Sequence, residues 1–245
     1  MNLSATSLSG AQRFTIHDGT VETLKWLAVL LMCADHANKY LFNETLPYCF
    51  EAGRIAMPIF VFVLAYNLAR PDAGARGIYH RTLVRLSLFA VIATPPFLIL
   101  GSLTWGWWPL NILFTLLLVT AIVSQIDSAE SRGKLRIGVA AALFIIGSAF
   151  VEFWWPAVAL GVGFWAFSKR PNWIAGVAVA VSLLSLYWIN GNFWALGVLP
   201  IIILASKANI PLPRMRWFFY AFYPLHLIAL IFVRIHMIKV GYLIF

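Results

Sequence analysis

An aspartate and a histidine stand side by side, Asp35-His36, inside an otherwise apolar stretch that opens Leu24-Lys25-Trp26. A second histidine, His226, ends the run Phe222-Tyr223-Pro224-Leu225-His226, and Arg54 and Glu152 lie near the ends of two further apolar stretches. A neutral imidazole takes up a proton near neutral pH, and a tyrosine hydroxyl or ring N–H donates to charge that develops on oxygen. Such groups suit base-assisted transfer of a group onto an amine or hydroxyl. They equally suit a proton relay in a transporter, or a purely structural role in a membrane adaptor.

These residues need elements to hold them. In a helix rising about 1.5 Å per residue, Asp35 and His36 lie about 16–18 Å in from one end of the first apolar stretch, and His226 about 15 Å in from the matching end of the last. The two histidines are therefore expected at one depth. Neighbouring helical residues point about 100° apart, so Asp35 does not orient His36. Its expected partner is Arg54, or Lys39 one turn on. Pro58 removes a backbone bond just past Arg54 and is expected to bend the second helix. Tyr223 and His226, three apart, share a face. Asn111 starts the fourth apolar stretch, and Glu152 falls near the outer end of the fifth. Lys25 reads as a residue snorkelling to the interface. Arg70, Arg76, Arg81 and Arg85 mark a topology signal and also a seat for a ligand with several phosphates. Cys33 is a minor candidate as an acyl-carrying nucleophile. His17, His80 and His236 read as surface residues.

The 245 residues are 62% hydrophobic and 11% charged, against about a quarter charged in a soluble domain, so the bilayer must be the solvent. Nine stretches qualify or nearly qualify as spanning helices: 24–42, 50–69, 82–101, 109–125, 137–153, 156–167, 173–189, 193–205 and 217–233, of which the sixth and eighth are short and read as tilted or partly re-entrant. The fold expected is an all-α, polytopic transmembrane bundle of about nine helices. It comprises a short segment 1–22, one bundle domain 23–235 and a tail 236–245. Lys and Arg concentrate after the second, fourth, sixth and eighth stretches, which places those loops and the N-terminus in the cytoplasm and the C-terminus outside. That pattern accounts for the net charge of +9 without nucleic acid. Two Trp-Trp-Pro runs read as helix starts. Residues 1–22 lack the apolar core of a signal peptide. Cys33 falls inside an apolar helix, which argues against a disulfide. No phosphate-binding glycine motif or HExxH occurs, and no metal is expected.

Four segments resemble one family, the TraX conjugative pilin acetylases. They are Lys25-Trp-Leu-Ala-Val-Leu-Leu-Met-Cys-Ala-Asp35-His36, Gly53-Arg54-Ile-Ala-Met-Pro58-Ile-Phe-Val-Phe, Asn111-Ile-Leu-Phe-Thr115 and Phe222-Tyr-Pro-Leu-His226. The end of the second stretch, Ala65-Tyr66-Asn67, departs from the family's Glu-Gly and leaves the acceptor open. The resemblance, with a more distant one to the membrane acyltransferases of family 3, implies acetyl transfer from acetyl-CoA to the N-terminal amine of a membrane-embedded pilin-like peptide. O-acetylation of an envelope sugar is the alternative. It implies a bacterial inner-membrane setting. The expected base is His36, with Asp35 and Arg54 as a buried pair, and His226 and Tyr223 as oxyanion donors or a second relay. Arg70, Arg76, Arg81, Arg85, Lys25 and Asn111 would hold the donor.

Overall fold

The computed structural model describes residues 14–101, 106–128 and 133–242. Among these, nine helical rods follow one another, one for each apolar stretch of the sequence. The first is α1 (Asp18–Leu41). The second is broken into α2 (Pro47–Gly53) and α3 (Ala56–Leu68) at Arg54-Ile55. The break lies where Pro58 dictates, since its ring excludes the carbonyl four residues back and it has no N–H to offer. Next come α4 (Ile78–Ile99), α5 (Ile112–Asp127) and α6 (Gly133–Ala142), the last continued by a π turn at Leu143–Gly147 and a 3-10 turn at Ser148–Phe150. Then come α7 (Trp154–Lys169), α8 (Trp173–Ser185) with its short extension α9 (Tyr187–Asn190), α10 (Val198–Lys207) behind a 3-10 turn at Trp194–Gly197, and α11 (Phe218–Lys239).

Five of the rods are long and apolar enough to cross a bilayer: Pro47–Leu68, Ile78–Ile99, Gly133–Phe150, Trp173–Asn190 and Phe218–Lys239. The chain is thus an all-helical membrane-type bundle. The α1 helix has the length but carries Asp18, Glu22, Lys25, Asp35 and Lys39. Most rods differ from the stretches the sequence suggested by a few residues at their ends. The fourth starts at Ile112 rather than 109, because the Asn111 side chain caps the helix by accepting from the Leu113 N–H at 3.1 Å. The sixth runs to Lys169, two residues beyond 167.

The Trp-Trp-Pro runs do more than start helices. Only Pro156 lies in a first turn; Pro109 precedes the capping Asn111. The two runs meet, with Trp108 and Trp154 stacked 5.7 Å apart and Leu110 bridged to Val151. In contact order, α1, α3, α7, α5, α4 and α11 close a ring. Fully buried Ile59, Phe62, Val119, Val158 and Leu160 fill the α3–α5–α7 side. There Gly161 is required, since a Cβ would lie 2.7 Å from both Val119 methyls. The α6 and α8 helices pack outside the ring, on α5 and α7. Their outward Leu, Ile and Val side chains remain exposed, as a lipid-facing surface requires.

Candidate functional site

The two sides of α1 carry different chemistry. On one side the Arg54 Nη2 donates to Asp35 Oδ1 at 2.5 Å, and both side chains are mostly buried. Arg54 is further held by the Phe50 carbonyl at 3.2 Å and by the Phe50 ring, 4.3 Å away. Of the two partners expected for Asp35, the structure selects Arg54. Gly53 makes the approach feasible, because a Cβ there would fall 2.4–2.6 Å from Asp35 side-chain atoms. The conformational freedom of the helix break and the missing side chain of Gly53 act together to bring α2 against α1.

On another side of α1, His36 Nδ1 meets His226 Nε2 at 2.7 Å, with the rings stacked 4.9 Å apart. The shared depth of the two histidines in the sequence becomes a direct contact. Tautomers follow from the partners. His226 Nδ1 lies 3.2 Å from the Phe222 carbonyl, which can only accept, so that nitrogen carries the proton. Neutral His226 then offers a lone pair on Nε2, His36 Nδ1–H donates into it, and Nε2 of His36 is left with its own lone pair. Tyr223 packs beside both rings, 5.3 Å from His226 and 6.4 Å from His36.

A cavity of about 510 Å³ runs inside the ring, walled by α1, α3, α4, α5 and α11. Its basic end collects Arg70, Arg76, Arg81, Arg85 and Lys25, all anticipated from the sequence, together with Arg214 and Arg216 from the segment before α11. Those last two read in sequence only as topology markers; the signal that could have found them is that their loop lies on the same side as the other arginines. Lys25 is paired with Glu22 at 2.5 Å and lies 4.3 Å over the Phe219 ring. Arg85 lies over Trp217 at 4.5 Å. Arg70 pairs with Asp18 at 2.5 Å, and its Nε is buried without a hydrogen-bond partner. The Arg70 guanidinium holds the Asp18 carboxyl below the usual carboxylate range. The inner end of the cavity reaches Met32, one turn before His36, and then Ile112, Phe222 and Tyr223.

Asn111 does not line this cavity. It is fully buried, caps α5 and donates to the Ala90 carbonyl at 3.1 Å, tying α4 to α5. Cys33 and Cys49 are both free. Glu152, which the sequence put near a membrane boundary, instead joins the inner site. Its carboxylate lies within electrostatic reach of Lys39, Arg54 and Asp35, and of Tyr223.

A helical membrane bundle with a contacting histidine pair near the inner end of an arginine-lined cavity is the class these features define. The profile of the TraX protein family matches residues 20–234, a span that reaches every helix of the ring and contains both histidines. The chain belongs to that family. No curated protein and no solved structure matches it.

Proposed function

We propose that this protein is a membrane acetyltransferase that moves an acetyl group from acetyl-CoA to an amine on a membrane-embedded, pilin-like peptide. The observation that carries the reading is the cavity, which joins a seven-cation mouth to the neighbourhood of His36 and His226. Membership of the TraX family supports it, since it fits a pilin-associated membrane protein. The positive-inside rule puts the mouth in the cytoplasm, where acetyl-CoA is made available.

The donor's phosphates would meet the arginines, whose planar forks suit phosphate oxygens. The buried, unpartnered Nε of Arg70 is a donor still seeking such an acceptor. The apolar depth of the cavity suits a pantetheine arm, with the thioester near Tyr223. The acceptor nitrogen attacks the carbonyl carbon while His36 Nε2 takes its proton. The C–S bond then breaks, and the proton passes to the departing thiolate. His226 acts through His36, accepting its Nδ1–H and so fixing the tautomer that makes Nε2 the base. Because the Nδ1–H of His226 is committed to Phe222, donation to the developing oxyanion falls to the Tyr223 hydroxyl. Asp35 and Arg54 hold α1 against α2.

The test uses the purified chain in nanodiscs with acetyl-CoA labelled in its acetyl group and a peptide bearing a free N-terminal amine. Wild type should release CoA and label the peptide. His36→Ala should lower turnover by roughly 10²–10⁴-fold, the worth of one well-placed base, while Arg81→Ala should raise the donor concentration needed. A folded protein that neither binds nor turns over acetyl-CoA overturns the reading. Activity that follows an ion gradient with no covalent product would replace it with transport.

A further inference from the structure

Most carboxylates of the bundle are paired. Among the described residues Asp18 pairs with Arg70, Glu22 with Lys25, Asp35 with Arg54, and Asp127 with Lys169. Glu44 and Asp72 are exposed on loops, and Glu51 lies on the short α2 helix at the rim. Glu152 alone stands within the inner site and forms no ion pair among the described residues. The nearby cations are otherwise engaged or set back. Arg54 is committed to Asp35 and Phe50, and the exposed Lys39 extends over the Tyr40 ring at 5.5 Å.

The chain goes to some length to place this carboxylate. The Glu152 N–H donates to the Leu110 carbonyl at 3.0 Å, and its own carbonyl accepts from Thr115 Oγ1 at 2.9 Å. Leu110 N–H in turn donates to the Phe150 carbonyl at 2.8 Å. The next two residues, Phe153 and Trp154, both adopt positive φ, at 61° and 46°. Consecutive left-handed aromatic residues are costly and persist only where the surroundings over-determine them. Here the surroundings are the Leu110–Val151 bridge and the Trp108–Trp154 stack. The outcome is a carboxylate within electrostatic reach of Tyr223, which lines the inner end of the cavity.

We propose that Glu152 is the seat of the acceptor's ammonium group and takes its first proton. The inference rests on the acetyltransferase reading and adds how the acceptor is recognised. An alkylamine arrives protonated and has no lone pair to attack with. The ammonium N–H bond breaks to Glu152, a carboxyl O–H forms, and the freed lone pair attacks the thioester carbon. The C–S bond then breaks. The second N–H proton goes to His36 Nε2 and on to the thiolate. Amide and thiol are the products, and one proton remains on Glu152 to leave to water. Two protons thus have two destinations, Glu152 and the histidine pair. The charged and titratable groups facing Glu152 are Asp35 and Lys39 on α1, Arg54 at the α2–α3 break and Tyr223 on α11.

A carboxylate with a purely structural role would leave the same contacts, and Glu152→Gln separates the two roles. The amide keeps the size of the side chain but holds no charge and takes no proton. In nanodiscs, binding of an apolar peptide with a free N-terminal amine is compared with that of its N-acetylated form. Wild type should prefer the free amine by tenfold or more. E152Q should lose that preference, leave binding of the acetylated form and of CoA within threefold, and transfer acetyl about 100-fold more slowly at pH 7. Its rate should recover as pH rises and solution supplies free amine. Equal binding of the two peptides by wild type, or retained preference and rate in E152Q, overturns the proposal. Where E152Q does not fold, Glu152→Asp keeps the charge and must keep the preference. A wild type that prefers the amine yet releases no CoA refutes the acetyltransferase reading and leaves this site standing.

Discussion

Two aspartate–arginine pairs in this molecule share one geometry and differ in everything around it. Asp18–Arg70 and Asp35–Arg54 both close at 2.5 Å. The Asp18 side chain is 71% exposed, whereas those of Asp35 and Arg54 are 14% and 15% exposed. In water such a pair contributes about 0–1 kcal/mol, because solvent screens it and two side chains must be ordered. Out of water the pair is still a weak net gain, but each half becomes a liability without the other. The inner pair therefore enforces a geometry, and the outer pair leaves a cation available to a ligand.

The sharpest way to break the contrast is Asp35→Ala, which strands Arg54. It should destabilise the protein by about 3–5 kcal/mol in a denaturation series in detergent. Arg54→Ala should cost a similar amount, and the double variant should recover much of the loss, the signature of coupled neighbours. Additive losses would mean that the two charges do not depend on each other. A smaller effect is expected at Gly53→Ala, where the new Cβ must displace the Asp35 side chain. Overpacking of this kind costs about 1–3 kcal/mol, and melting together with transfer activity should register it. The smallest effect belongs to Asp18→Ala, at most about 1 kcal/mol, with CoA binding unchanged or tightened as Arg70 is released. The pH dependence has a definite sign. Since the folded-state value of Asp18 is lowered, its contribution is present above the ordinary carboxylate value of 3.8 and is lost only as pH falls through the lowered one. Ionic strength should weaken the outer pair and leave the inner one intact.

How far these features were legible in the sequence depended on how local their cause is. Each rod follows from an apolar run, five of them long enough to cross a membrane, and the break at Arg54-Ile55 from Pro58 four residues on. The meeting of His36 with His226 was readable as equal depth in two helices, and the Arg70–Arg85 cluster as a charge run. Glu152 was not readable, because its inward aim depends on Leu110 and Thr115, 42 and 37 positions away, and on two left-handed residues that no local propensity favours. Arg214 and Arg216 reach the cavity only because α11 returns beside α1 and α4. Asn111 showed its position at a helix start in the sequence, but its carboxamide turned out to be spent on a cap and on Ala90.

The histidine contact also carries information about time. Asp35 and Arg54 are 19 residues apart, so the first two rods neutralise each other's charge as soon as both have left the ribosome. His36 waits for a partner 190 residues downstream. Until the last rod inserts, nothing fixes which ring nitrogen of His36 bears the proton, and the base has no defined orientation. On the acetyltransferase reading proposed above, the order of synthesis would keep the nascent chain silent until the bundle is closed.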